Sequence, residues 1–131
     1  MRALLDTNAW LWFTGRSERL GPLTRALVRD RSNEMLLSIA SAWEVAIKGG
    51  LGKISGIGDP AAFVRTRLRR QHILTLGVTL DHVLAVAALP AHHRDPFDRL
   101  LVAQAQAESL TIITADAHLA LYDVKVHDAR S

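Results

Sequence analysis

No cysteine occurs among the 131 residues. Disulfides, zinc–thiolate sites and thiol nucleophiles are therefore excluded together, a pattern consistent with a reducing compartment. No window approaches the ~20 apolar residues that a membrane-spanning helix needs. The apolar start Met1–Leu5 is cut off by Asp6, too early for a secretory leader. A soluble, cytoplasmic protein with no membrane partner is expected. Also missing are a glycine-rich phosphate loop, an internal repeat, a low-complexity segment and a linker, so residues 1–131 read as one domain. Lysine is scarce: three lysines stand against thirteen arginines.

What is present is a globular composition, 49% hydrophobic and 22% charged, with enough chain for one buried core. The net charge of +3 is weak evidence for a nucleic-acid partner. Its distribution says more. Arg65, Arg67, Arg69 and Arg70 crowd one short stretch, while Arg94 and Arg99 flank acidic residues. Guanidinium groups suit bidentate phosphate contacts, so these side chains are either a solvated face or an RNA contact.

Apolar runs alternate with helical patterns along the chain. Strands are expected at Ala3–Leu5, Met35–Ser38, His72–Leu76, Leu110–Thr114 and Val124–Val126. Between them, helices are expected after Asp6, after Gly21-Pro22, from Ile39, from Pro60 to about Gln71, from Thr79 or Asp81 to Leu89, and from Phe97 to Glu108. Asp59 and Pro60 have the form of an N-cap followed by a proline in the first turn. Leu23, Leu27 and Val28 in the second helix, and Ile39, Trp43, Ala46 and Ile47 in the third, have the spacing of core-facing residues. Leu80–Leu89 reads as ordinary amphipathic packing. Trp10, Trp12 and Phe13 form a dense aromatic segment, either core or a surface for a partner helix or a second copy. The alternation defines an α/β class with a central, mostly parallel sheet of about four to five strands flanked by helices.

In such sheets ligands bind outside the carboxyl ends of the strands. Asp6 ends the first strand and Asp116 follows Leu110–Thr114 by two residues. Glu44 and Asp98 lie early in helices whose N-termini meet the same edge. Four carboxylates on one rim repel one another without a cation, and Mg²⁺ or Mn²⁺ is the natural partner. Each acid also has a purely structural reading. Asp6 and Asp116 can cap the helices that follow them. Ser41-x-x-Glu44 has capping-box form, and Glu44–Lys48 has the spacing of a surface ion pair. Asp95-Pro96-Phe97-Asp98 fits an N-cap, a proline and an acid in the first turn. His92 and His93 adjoin Asp95, as either a His–carboxylate metal site or a solvated loop pair.

Together the motifs resemble PIN-domain nucleases. Leu4-Leu5-Asp6-Thr7-Asn8 is similar to the opening of that family. Ser41-Ala42-Trp43-Glu44 with Ile47-Lys48 resembles its second acidic motif. His93-Arg94-Asp95-Pro96-Phe97-Asp98-Arg99 running into Leu101–Ala105 resembles the third, and Thr114-Ala115-Asp116 the fourth. The similarity spans essentially the whole chain and is greatest to VapC-type toxins, in the branch with a DPFDR signature. It implies a PIN-like domain over 1–131 and Mg²⁺- or Mn²⁺-dependent endoribonuclease activity. It also implies inhibition by a cognate VapB-type antitoxin. Carried over by residue, Asp6, Glu44, Asp98 and Asp116 form the acidic quartet, with Thr7, Asn8 and Thr114 as polar neighbours that fix carboxylate rotamers. Asp95 is an extra acid of this branch, either a ligand or a cap.

The expected reaction is phosphodiester hydrolysis by water activated at carboxylate-held cations. Asp6, Asp116 and Asp98 are the expected ligands. Glu44 either ligates a second ion or orients the water, and Arg94 and Arg99 position the RNA backbone. The alternative is a non-catalytic RNA- or protein-binding module on the same fold. A phosphatase or receiver reading fits poorly, because Asp6-Thr7-Asn8 supplies no second acid at the first strand.

Overall fold

The computed structural model describes residues 1–131. Five short strands, β1 (Arg2–Leu5), β2 (Glu34–Ser38), β3 (Leu74–Leu76), β4 (Thr111–Thr114) and β5 (Val126–Asp128), alternate with helices. The helices are α1 (Thr7–Thr14), α2 (Pro22–Arg29), α3 (Ile39–Gly50), α4 (Pro60–Gln71), α5 (Leu80–Ala85) and α6 (Pro96–Glu108). Two 3₁₀ turns, Val86–Ala88 and Ala117–Leu121, complete the chain. Every strand pair is parallel, in the order β3-β2-β1-β4-β5.

β1 holds the middle of the sheet, with Leu4 opposite Leu36 on one side and Ile112 on the other. Side-chain alternation divides the core between the two faces of the sheet. Ala3, Leu5, Met35, Leu37 and Ile113 join Trp10, Val28 and Val45 in one cluster. Leu4, Leu36 and Ile112 join Leu101, Val102, Ala105 and Tyr122 in the other. Strands covered on both faces are continuously apolar, which is why they are legible as short unbroken runs.

Trp10 is wholly buried, edge-on to Phe63 at 5.8 Å, and its indole N–H donates to Gln71 Oε1 at 2.9 Å. With Trp12 and Phe13 packed against the same cluster, the aromatic segment is core. The expected strand from His72 begins two residues later. His72 closes α4 in the left-handed region at φ 56°, where it cannot also start a strand. The last strand is likewise displaced, from Val124–Val126 to Val126–Asp128, because the Val124 N–H closes a tight turn on Tyr122 O at 2.8 Å and is not free to join the sheet. The helix expected to reach Leu89 tightens after Ala85 into a 3₁₀ turn.

In α2, Val28 is buried and Leu27 packs against the first cluster as expected, whereas Leu23 is exposed and Thr24 turns inward. Thr24 Oγ1 lies 2.8 Å from His127 Nε2. Two other helices face the opposite way from their bulkiest apolar residues. In α3, Ala40, Ser41, Glu44 and Val45 are buried, whereas Ile39, Trp43, Ala46 and Ile47 face solvent, Trp43 at 62% exposure. In α5, His82 is the inward residue and Leu80, Val83 and Leu84 are exposed. No helix is long and apolar enough to cross a membrane.

Candidate functional site

The carboxyl ends of β1 and β4 are adjacent, and the residues just beyond them are tied together. Thr114 Oγ1 donates to Asp6 Oδ2 at 2.5 Å, and Asp6 Oδ1 accepts the Ala9 N–H at 2.7 Å, capping α1. Thr7 Oγ1 donates to Glu44 Oε1 at 2.6 Å, which fastens α3 to the end of β1. Asp116 Oδ1 accepts the His118 N–H at 2.9 Å and so caps the 3₁₀ turn, while Asp116 Oδ2 lies 2.6 Å from His93 Nε2. Asp6 and Asp116 thus perform the capping role open to them in the sequence with one oxygen and keep the second oxygen for the cluster.

Glu44 is the clearest departure from a structural role. Ser38, not Ser41, caps α3, so the capping-box arrangement of Ser41 and Glu44 does not form. Glu44 is instead 7% exposed on the inward face, bonded by Thr7 and by Lys48 Nζ at 2.7 Å. The i,i+4 pair exists, but it anchors a buried carboxylate rather than decorating a surface. The bond to Glu44, reinforced by Asp95 and Asp98, raises the Lys48 pKa.

Asp98 stands in the first turn of α6. Asp95 is the N-cap, accepting the Phe97 N–H at 2.8 Å and the Asp98 N–H at 3.4 Å, with Pro96 opening the helix. Desolvation, then the charges of Asp95, Asp6 and Glu44, push the Asp98 carboxyl up to about 7 against the pull of His93. Burial raises Asp6 also, opposed by its bonds from Thr114 and Ala9 and assisted by Asp116 and Glu44. At Asp116 partial burial acts upward but is outweighed by the bonds from His118 and His93, and the pKa is lowered. Nε2 of His93 lies 3.3 Å from Asp98 Oδ2. One ligand atom from each of His93, Asp98 and Asp116 falls within 4.8 Å of the others.

Four acids from β1, α3, α6 and the end of β4 therefore act on one another's charge. The nearby basic side chains are Lys48, paired with Glu44, and the half-buried His93. Burying like charges without compensation is costly, and the elevated Asp98 records that cost. The donors are almost all carboxylate oxygens, the set that suits a small hard cation. The residues present therefore fit Mg²⁺ or Mn²⁺.

The remaining candidates separate. Asn8 is exposed on α1 and its side chain makes no hydrogen bond to the cluster. The Arg99 guanidinium is taken up by the preceding connection: it donates to Pro90 O at 2.9 Å, Val86 O at 3.1 Å and the Tyr122 hydroxyl at 3.2 Å. It holds the Pro90–Pro96 segment in place and has little left for RNA. Arg94 is exposed and lines a cavity of about 300 Å³ with His92, His93 and His118. Sequence reasoning left His118 and Tyr122 aside. Neither has a signal of its own: His118 touches Asp116 from two residues along, and Tyr122 meets His93 only in the fold.

A parallel five-stranded sheet with acids converging from these four elements is the arrangement of a PIN domain. The family model for that domain matches residues 3–125, and the chain belongs to the family. Over 59 residues the chain is 46% identical to Ribonuclease VapC16 of Mycobacterium tuberculosis (strain ATCC 25618 / H37Rv). That match spans 45% of this chain and 42% of the relative, less than half the length of either. Two solved structures share the fold. One is VapBC2 from Rickettsia felis bound to a DNA fragment from their promoter, at 15% identity and a TM-score of 0.71, covering 97% of this chain and 98% of that one. The other is FitAcB from Neisseria gonorrhoeae, at 21% identity and a TM-score of 0.58, covering 98% of both chains.

Proposed function

We propose that the protein is a divalent-cation-dependent endoribonuclease, the toxin of a VapBC-type pair. The observation that carries this reading is the convergence of Asp6, Glu44, Asp98 and Asp116 at one edge of the sheet, with Asp98 raised to about 7 by burial and by its acidic neighbours. Asp6, Asp98 and Asp116 would hold Mg²⁺ or Mn²⁺. When bound, the cation supplies Lewis acidity toward a water and a phosphate oxygen. The chain's own residues do the positioning. Thr114 and the Ala9 N–H fix the Asp6 carboxylate in one rotamer. Thr7 and Lys48 hold Glu44 where it can orient a water by accepting its proton in a hydrogen bond. Arg94, beside the histidine-lined cavity, supplies positive charge for the RNA backbone.

An antitoxin partner of VapB type is supported by the resemblance to the VapC relative and by the apolar outer faces of α3 and α5. Both helices pack on α6 and turn Ile39, Trp43, Ile47, Leu80, Val83 and Leu84 to solvent. The same faces suit a second copy of the chain.

The test is cleavage of a panel of structured RNAs with Mg²⁺ or Mn²⁺. Asp6→Asn and Asp116→Asn are expected to lower the rate by at least about 100-fold, and excess EDTA to abolish it. Undiminished cleavage in both variants, or in EDTA, would refute the assignment. RNA binding that survives both substitutions without any cleavage would favour the binding-module alternative.

A further inference from the structure

The position of His93 invites its inclusion among the ligands of the cation, because its Nε2 stands 2.6 Å from Asp116 Oδ2 and 3.3 Å from Asp98 Oδ2. Its other nitrogen argues against that. The Asp95 N–H donates to His93 Nδ1 at 3.0 Å, so Nδ1 carries a lone pair and not a proton. A neutral ring whose Nδ1 accepts must bear its proton on Nε2. Histidines that ligate a metal through one nitrogen usually donate from the other, to a carbonyl or a carboxylate. Here the second nitrogen accepts. Moving the proton to Nδ1 to free Nε2 would set two N–H groups face to face across 3.0 Å.

The ring cannot easily turn away from this arrangement. The His93 N–H donates to the Tyr122 hydroxyl at 3.0 Å, and the His93 carbonyl accepts from Arg99 Nη1 at 3.4 Å. Tyr122 is itself buried in the core cluster below. Asp95 is fixed in turn as the cap of α6, the helix that carries Asp98. Backbone, ring and helix start are thus one connected unit, with the Nε2 proton directed at Asp116 Oδ2, and with Asp98 Oδ2 3.3 Å from the same nitrogen.

From this geometry we infer that His93 is a positioning residue: a fixed hydrogen-bond donor to Asp116 that sits against Asp98 and so keeps the two carboxylates side by side, and not a nitrogen ligand. The inference rests on the metal-dependent reading above and deepens it. The cation would then meet oxygen donors alone, so the site would not gain the preference for nitrogen-seeking transition metals that an imidazole ligand confers. The donor also offsets the repulsion between the two acids while no cation is bound.

Two measurements on the full chain test it. Long-range ¹H–¹⁵N correlation of the histidine rings is expected to show His93 as the Nε2–H tautomer, both in EDTA-treated protein and with saturating Mg²⁺. An Nδ1–H tautomer in either state overturns the inference. Pulsed EPR of the Mn²⁺-loaded protein is expected to show no imidazole nitrogen coupling that depends on His93. Mn²⁺ affinity should change by less than about 3-fold in His93→Gln, whose side-chain amide retains a donor, and fall about 10-fold in His93→Ala. A nitrogen coupling present in the wild type and lost in His93→Gln would make His93 a ligand. Absence of any Mn²⁺ binding by the wild type would remove the metal-dependent reading instead, leaving the tautomer in the EDTA-treated protein to decide the role of His93.

Discussion

Asp98 shows how one carboxyl can serve both the helix that carries it and a charge cluster that it destabilises. In the first turn of α6 it is well placed against the helix dipole. Yet burial and the charges of Asp95, Asp6 and Glu44 raise it to about 7 from an ordinary value of 3.8. A carboxyl whose folded pKa is raised binds more protons folded than unfolded. Its contribution to stability is therefore fully present below about pH 4 and is lost as the pH rises through 7. Across that window metal-free protein should lose stability at up to about 1.4 kcal/mol per pH unit on this account. Thermal denaturation in EDTA at pH 5.5 and pH 8 checks the sign. The wild type is expected to melt lower at pH 8, and Asp98→Asn, with no charge to lose, should flatten the difference. A wild-type melting temperature that is equal or higher at pH 8, with the same slope in Asp98→Asn, would contradict the assignment of the raised pKa.

At the level of elements, α3 decides how far a pattern can be read. Both of its sides are apolar, and the bulkier side, Ile39, Trp43, Ala46 and Ile47, suggests the core. The helix instead buries Ala40, Ser41, Glu44 and Val45. Periodicity gives the helix but cannot rank two candidate faces when the inward one carries a buried acid. α5 likewise exposes Leu80, Val83 and Leu84, and its inward residue is His82, whose Nε2 lies 2.9 Å from Glu108 Oε1. The buried strands were legible because both of their faces are covered. Asp6 and Asp116 were legible because a strand end fixes its next residue in space. His93 stayed open between a His–carboxylate site and a solvated loop pair, because its ring is placed by Asp95 and its backbone by Tyr122, a contact 29 residues away. The seating of α3 has a direct check. Trp43→Ser should cost no more than about 1 kcal/mol, chiefly its edge-on contact with Phe97 at 5.4 Å. Trp10→Ala, in the buried cluster, should cost about 3–5 kcal/mol. Urea denaturation of the two variants distinguishes them, and a reversed order would mean that α3 is seated on its other face.

Across the whole molecule the site works as a clasp on the sheet. Its acids come from positions 6, 44, 98 and 116, so they join the end of the central strand, one helix from each core cluster and the end of β4. None of these elements holds the cluster alone, and unfolding disperses it. A cation that binds only the assembled cluster must therefore stabilise the whole fold by RT ln(1 + [L]/Kd), about 2.7 kcal/mol at a hundredfold excess over Kd. For a domain of this size that corresponds to a rise in melting temperature of roughly 5–10 °C. Mn²⁺ added to EDTA-treated protein at pH 8, after removal of the chelator, should produce this rise in the wild type. Asp6→Asn and Asp116→Asn should lose most of it, whereas Asp123→Asn, an exposed acid outside the cluster, should keep it. Two effects then converge on one measurement, since a cation in the cluster would also oppose the burial and repulsion that raise Asp98. The rise should accordingly be larger at pH 8 than at pH 5.5, where protons already satisfy part of the cluster. An equal rise in all four proteins would place the cation elsewhere on the surface and separate the charge cluster from metal binding.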